Sequence, residues 1–286
     1  LLPVVYRSNF NFRHLTMTIP HPSDQPPLPE LMRFFYIYNI DKTLFSNCFN
    51  SVAVGHCIKT ERPVIIKAVY NNRRQFKKEV TLLKKLKHVQ GVVRFVDSFS
   101  LDNGHMIVTE HFGDMNLYRF LQNAAPITEN VIHTVIKQLV VTIQTFFKHR
   151  ILHRKIKPSN ILLDLKNLRI KIINLNAACR FDRPDDVFKT PMCEDIAPPE
   201  YFLFETITAD SLYVWSIGLV MYEMLFNRKP FNSKTEVVRK TLSVVSSTPI
   251  SEHAVNLVSW MLSKDPKQRI TLKQCLHHPW LIKKYI

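Results

Sequence analysis

The stretch "ILHRKIKPSNILLD", Ile151 to Asp164, packs His153, Lys155, Lys157 and Asn160 between two apolar runs. It reads as a catalytic loop with a cation, Lys155, where a proton-accepting carboxylate would be expected. A lysine is an ammonium at neutral pH and has no lone pair with which to take a proton. Two further positions bear on the same chemistry. Lys67 ends the run "VIIK", and Glu79 lies twelve residues on, three after Phe76 and four before Leu83. That spacing puts Glu79 on the apolar face of a helix, where a carboxylate must find a cationic partner. Asn174, in "INLN", follows a strand-like run beyond the loop.

The elements that would position these groups are legible in the periodicity. "FFYIYNI", "SVAVGHC" and "PVIIKAVY" are β-branched and aromatic runs bounded by polar turns and predict strands. "GVVRFVDSFS" and "HMIVTEHF" predict two more. "RRQFKKEVTLLKKLKH", residues 73–88, repeats Phe76, Val80, Leu83 and Leu86 at helical spacing. Residues 130–150 carry Ile132, Val135, Ile136, Leu139, Ile143 and Phe146 on one stripe, a long amphipathic helix. "SLYVWSIGLVMYEMLF", 211–226, is apolar nearly all round and predicts a buried central helix. "EHAVNLVSWMLS" and "LKQCLHHPW" predict two further helices. Strands first and helices later imply an α+β protein of two lobes. Residues 20–29, "PHPSDQPPLP", read as a linker, with "PPLP" able to adopt an extended polyproline form.

The 286 residues suffice for a substantial core, with 46% hydrophobic and 22% charged residues. Only 5 are glycine, which argues against a glycine-lined phosphate loop. The formal charge of +16 favours acidic partners, nucleic acid or anionic surfaces, but the charges are spread along the chain and read as a solvated basic surface. Cys48, Cys57, Cys179, Cys193 and Cys275 show no metal-ligand spacing, so reduced thiols and an intracellular setting, cytoplasm or nucleus, are expected. No run reaches membrane-spanning length, and "LLPVVYRSNF" lacks the signal-peptide pattern. The first residue is Leu, which leaves the true start undefined.

The ordered set Lys67 in "VIIK", Glu79, "LHRKIKPSN", "INLN", "APPE", "VWSIG" and the Arg of "PKQRI" resembles the protein-kinase superfamily from about Arg33 to Ile282. "PPEYF", "VWSIG" and "HHPWL" look most like its calcium/calmodulin-kinase branch and the Pim relatives. The resemblance implies a bilobal kinase-like fold, with a tail and linker at 1–32 and a domain at 33–282. The β-rich N-lobe would be 33–112 and the helical C-lobe 113–282. A nucleotide, if bound, would be held by Val52, Lys67, Glu79, Glu110, Phe112, Lys157, Asn160 and Leu162. Lys67 and Glu79 match the ion pair that grips the phosphates, a pair that could equally serve only to seat a helix. Lys157 matches a residue that meets the γ-phosphate, and Asn160 matches a magnesium ligand. His153 with Leu83, and Val52 with Leu162, match the family's hydrophobic spines. Glu200 and Arg269 match an ion pair of the lower lobe.

The departures fall on the chemistry. "FSNCFNSV" puts Phe45, Asn47 and Asn50 at the three glycine positions, keeps Phe49 and Val52, and reads as an ordinary β-hairpin. Ile65 replaces an alanine that stacks on adenine, adding three carbons. Lys155 stands at the catalytic Asp and Asn174 at the second magnesium ligand, where an amide oxygen is a poorer donor than a carboxylate. Leu175 and Asn176 replace the Phe and Gly that follow. Met192-Cys193 replaces Gly-Thr and removes a substrate-positioning hydroxyl.

These departures imply a degenerate kinase, a pseudokinase, with no intact catalytic residue and no expected cofactor or metal. Its role would be to bind a protein as scaffold, decoy or regulator, with an active kinase among the candidate partners. The alternative is a divergent Ser/Thr kinase using ATP and magnesium, with Asp164, Asp195 or Glu194 as a relocated carboxylate. A third reading is a basic nucleic-acid-binding module, which nothing beyond net charge supports. No membrane association is expected. The oligomeric state is open.

Overall fold

The computed structural model describes residues 30–101, 104–123, 127–182, 193–203, 206–246 and 249–283. The proline-rich stretch and Met192 lie outside them. The described chain forms two compact units, one of residues 30–88 and 93–111, the other of 89–92 and 112–283.

The first unit is a twisted antiparallel sheet with two helices. Helix α1 (Glu30–Ile37) leads into β1 (Tyr38–Ser46), β2 (Asn50–Cys57) and β3 (Pro63–Val69). Helix α2 (Arg73–Lys85) precedes β4 (Phe95–Leu101) and β5 (Gly104–Glu110). The sheet order is β1-β2-β3-β5-β4. Alternation decides the two faces. Ala53, Val64, Ile66, Ala68, Met106 and Val108 point into a core with Phe34, Tyr38 and Phe99. Val52, Val54, Ile65 and Lys67 take the opposite face, with Val52 opposite Lys67 and Val54 opposite Ile65 across the ladder.

"FFYIYNI" is not a strand throughout: α1 runs to Ile37, and only Tyr38 onward is extended. Phe34 and Tyr38 are four residues apart, the spacing at which a helical turn aims both rings one way. Both meet Phe99, at centroid distances of 5.3 and 6.0 Å. Glu30 also accepts from the Ser100 N–H at 3.1 Å, tying the helix start to β4. Aromatic packing at helical spacing overrides the β preference of the run.

The second unit is mainly helical. Helices α3 (Leu117–Asn123) and α4 (Glu129–Lys148) are followed by β6 (Ile151–Leu152), β7 (Ile161–Asp164), β8 (Arg169–Ile172) and β9 (Cys179–Arg180). Then come α5 (Pro199–Phe202), α6 (Ala209–Phe226), α7 (Lys234–Arg239), α8 (Glu252–Met261), α9 (Leu272–Leu276) and α10 (Pro279–Ile282). Every residue of the predicted α4 stripe is buried, and α6 is buried on nearly every side. Strands β6 and β9 pair, as do β7 and β8, so both ends of the polar loop 153–160 are held by short ladders. The segment 89–92 joins this unit through Gly91, whose O accepts from Ile172 N at 2.8 Å. A side chain at Gly91 would strike Thr142 on α4, since its Cβ would fall 1.9 Å from Oγ1. No helix among the described residues is long and apolar enough to cross a membrane.

Candidate functional site

In the first unit, Lys67 Nζ lies 2.8 and 2.7 Å from the two oxygens of Glu79. Glu79 is 3% exposed, so the lysine supplies the partner its position on α2 demands. Asn72 starts α2 by accepting from Gln75 N at 2.9 Å. Ile65 and Val54 share the sheet face of this pair. Glu110, at the end of β5, turns its carboxylate back to accept from Arg94 N at 2.7 Å.

The β1–β2 hairpin closes on itself. Asn47 Oδ1 accepts from the N–H groups of Phe49 and Asn50 at 2.9 and 2.8 Å. Asn47 N donates to Asn50 O at 2.9 Å, and Phe49 O accepts from Tyr70 N at 2.9 Å. A phosphate-binding turn needs free N–H groups pointing outward. Here two of them are already used by an Asn side chain. Asn50 also buries its own Oδ1 without a partner among the described residues, and an acceptor oxygen does not attract a phosphate. Phe45 and Phe49 stand 53% and 68% exposed at the tip. An Asn side chain commonly bonds the backbone two residues on, so this Asx-turn is legible in the residue type at position 47 as well as in the structure.

In the second unit the loop after β6 is rigidly built. His153 is fully buried; its Nε2 donates to Ile173 O at 3.1 Å, and its Nδ1 accepts from Lys155 N at 3.2 Å. These partners require a neutral ring protonated on Nε2. Burial pushes its pKa down to about 4, with the Lys155 charge adding to the effect and the Ile173 carbonyl opposing it. Tyr213 of α6 anchors the same turn, accepting from His153 N at 3.0 Å and donating to Ile151 O at 2.7 Å. Arg154 takes a left-handed backbone, φ 58°, and its Nε donates to Ala177 O at 2.8 Å. Lys155 is partly exposed.

Asn160 is buried and bridges this loop to "INLN". Its Nδ2 donates to Lys155 O at 2.9 Å, which leaves Oδ1 as the acceptor for Asn174 Nδ2 at 3.3 Å. Asn174 holds a left-handed conformation, φ 69°, that Asn tolerates better than most residues. The positions matching two metal ligands thus bond each other, and an amide N–H stands where a cation would face the Asn160 oxygen. Asn176, two residues on, buries its Oδ1 with no partner among the described residues. One amide oxygen without a carboxylate does not make a magnesium site. Among the described residues no cluster of His, Cys, Asp or Glu could hold a metal ion. These residues do not fit magnesium.

The carboxylates considered as replacements are engaged. Asp195 Oδ2 lies 3.1 Å from Lys157 Nζ, and that hydrogen bond, with the charge behind it, lowers the Asp195 pKa. Glu194 pairs with Lys234 at 2.8 Å. Asp164 closes the β7–β8 turn on Lys166 N and Asn167 Nδ2, whose hydrogen bond lowers its pKa first. Leu162 sits in β7, bridged to Asn116. Phe112 lies under the Lys171 ammonium at 5.1 Å.

The lower cluster is built on an ion pair. Arg269 Nη1 and Nη2 meet the two Glu200 oxygens at 2.6 and 2.9 Å, a bidentate pair 1% and 0% exposed at the side chains. Ser211 Oγ donates to Glu200 at 2.8 Å, and Ser263 O accepts from Arg269 Nε at 3.0 Å. The Arg269 guanidinium lies 4.9 Å from the Trp215 ring centre.

The protein kinase domain family matches residues 41–281. The serine/threonine-protein kinase prk-2 of Caenorhabditis elegans is 31% identical over 215 residues, covering 73% of this chain and 48% of its own. The serine/threonine-protein kinase PLK4 of Drosophila willistoni is 32% identical over 266 residues, covering 86% of this chain and 33% of its own. PLK4 of Drosophila melanogaster is 30% identical over 264 residues, with shares of 86% and 33%. The chain therefore spans about half the length of the nematode relative and a third of the fly relatives. It belongs to the protein kinase family.

Proposed function

We propose that this member of the protein kinase family is a pseudokinase that works by binding another protein. The observation that carries the reading is the Asn160–Asn174 hydrogen bond, which turns an amide N–H, not a carboxylate, toward the Asn160 oxygen. Lys155 adds a second obstacle in the same loop, because an ammonium cannot accept the substrate proton; loss of a general base costs roughly 10²–10⁴ in rate. The hairpin adds a third, since Asn47 occupies N–H groups that a phosphate would need. Losses that act on one reaction do not sum, but each alone impairs turnover. The partner class is a protein, an active kinase being one form of it, and the setting is intracellular.

A second reading is an active Ser/Thr protein kinase using ATP and magnesium. It draws on the intact Lys67–Glu79 pair and on the names of the relatives, all serine/threonine-protein kinases. Our placement near the calcium/calmodulin-kinase and Pim branch rests on "PPEYF", "VWSIG" and "HHPWL" alone. Relatives of differing name at 31% and 32% identity support the superfamily without choosing a branch.

The test is phosphate transfer from radiolabelled ATP to generic basic protein substrates, with magnesium or manganese, beside a folded Lys67→Ala control. The expected result is no transfer above that control. A robust signal that disappears in Lys67→Ala would establish the second reading and end the first.

A further inference from the structure

The net charge of the chain is not spread evenly over its surface. Helix α2 carries Arg73, Arg74, Lys77, Lys78, Lys84 and Lys85, and all six are exposed. They recur at spacings of one, three, four and seven, so they line one side of a 13-residue helix. From Arg73 to Lys85 the array runs about 18 Å at roughly 1.5 Å per residue. Glu79 is the sole acidic residue between Glu61 and Asp97, and it is buried on the other side against Lys67. The solvent face of α2 therefore carries no carboxylate of its own.

This arrangement works against the helix. No acidic residue stands in the first turn, where Arg73 and Arg74 place positive charge at the positive end of the helix dipole. Arg73 and Lys77 are like charges four residues apart, which repel. A polyanion laid along the face would relieve both.

We propose that the solvent face of α2 is a docking surface for an acidic segment of a partner polypeptide. Charge complementarity and length commit to this occupant. An extended peptide advances about 3.3 Å per residue, so roughly six residues cover the array. The helix exposes no large apolar side chain, so it has nothing to insert into a bilayer. It likewise exposes no aromatic ring on which nucleic-acid bases could stack. The surface names the chemistry of the partner in the binding role proposed above and rests on that reading for its meaning. Its test measures binding without turnover, so the two can fail separately.

The test is fluorescence anisotropy at 150 mM salt with a labelled twelve-residue peptide of alternating Glu and Asp. The proteins are wild type, Arg74→Glu/Lys77→Glu and, as a charge-matched control, Lys267→Glu/Lys273→Glu. Residues 267 and 273 are exposed lysines of the helical unit. Glutamate at position 74 suits the first turn of a helix, so the α2 variant should fold. The expected result is binding by wild type, weakened at least tenfold in the α2 variant and less than twofold in the control. No binding by wild type, a smaller loss in the α2 variant, or a loss shared with the control would overturn the proposal. So would tighter binding of duplex RNA, or of vesicles of phosphatidylcholine with phosphatidylserine, through Arg74 and Lys77.

Discussion

The Glu200–Arg269 cluster and the Asn160–Asn174 pair lie in the same helical unit, and both are hydrogen-bonded, but by different means. In the first, a guanidinium and a carboxylate meet in parallel with almost no solvent exposure, and Ser211 and Ser263 take up further sites. Neither charge can be changed without stranding the other. In the second, two neutral amides meet through a single 3.3 Å bond, and Asn160 also donates to Lys155 O. That pair needs neither cation nor carboxylate. The first cluster keeps the ionic form its architectural task requires. The second keeps the loop geometry while doing without the charge that phosphoryl transfer would require.

The comparison is broken most directly at Arg269. Arg269→Ala leaves the Glu200 carboxylate buried with only a serine, and losing one member of such a pair costs about 3–5 kcal/mol. Urea denaturation should show the midpoint falling with little change in slope. A loss under 1 kcal/mol would mean that the cluster is no more than the polar pair above it.

The next effect is one of pH. His153 is held neutral, with a folded pKa of about 4 against an ordinary 6.5. The unfolded chain then binds more protons between those values, so stability is full above pH 6.5 and falls as pH drops toward 4. By pH 5 the loss from this residue is about 2 kcal/mol. His105, His133 and His278 are shifted in the same direction by burial and steepen the slope. The burial-raised carboxyls of Asp210 and Glu223 oppose it. Denaturant midpoints at pH 7.5 and 5.0, for wild type and His153→Gln, isolate the residue because the other groups cancel in the difference. A wild-type slope no steeper than that of the variant would mean that the loop does not depend on a neutral ring.

Periodicity and motif order exposed most of this protein before any coordinate. The α4 stripe, the buried α6 and the need of Glu79 for a cation all follow from spacing, because spacing and burial are local rules. Two features were out of reach for physical reasons. Helix α1 packs Phe34 and Tyr38 on Phe99, some sixty residues away, in a core drawn from the whole sheet, and that contact is not written in the local run. The Asn160–Asn174 bond joins residues whose types looked merely deficient as metal ligands, and pairing across a loop is not written in either. The basic face of α2, by contrast, is legible in a helical wheel of residues 73–85, although a charge count over the whole chain dilutes it.

The smallest expected effect is on turnover in a repaired loop. Lys155→Asp/Asn174→Asp restores both carboxylates and turns the Asn160–Asn174 donor into an acceptor. Two oxygens then face each other where the amide bond was, an arrangement that a divalent cation relieves. Magnesium at about ten times its dissociation constant should stabilise the double variant by about 1.4 kcal/mol and leave wild type unmoved. Phosphate transfer should nonetheless stay at the Lys67→Ala background. The hairpin of the sheet unit still has Phe49 and Asn50 N–H bonded to Asn47, and Ile65 still adds its bulk to the sheet face that carries Lys67. Phosphoryl transfer depends on positioning as much as on the groups themselves, so a metal alone gains little. Adding Asn47→Gly frees those N–H groups, and a first trace of transfer should be sought in that triple variant by radiolabel. Full activity in the double variant would show that the hairpin is no barrier and that the two carboxylates were all the chain lacked.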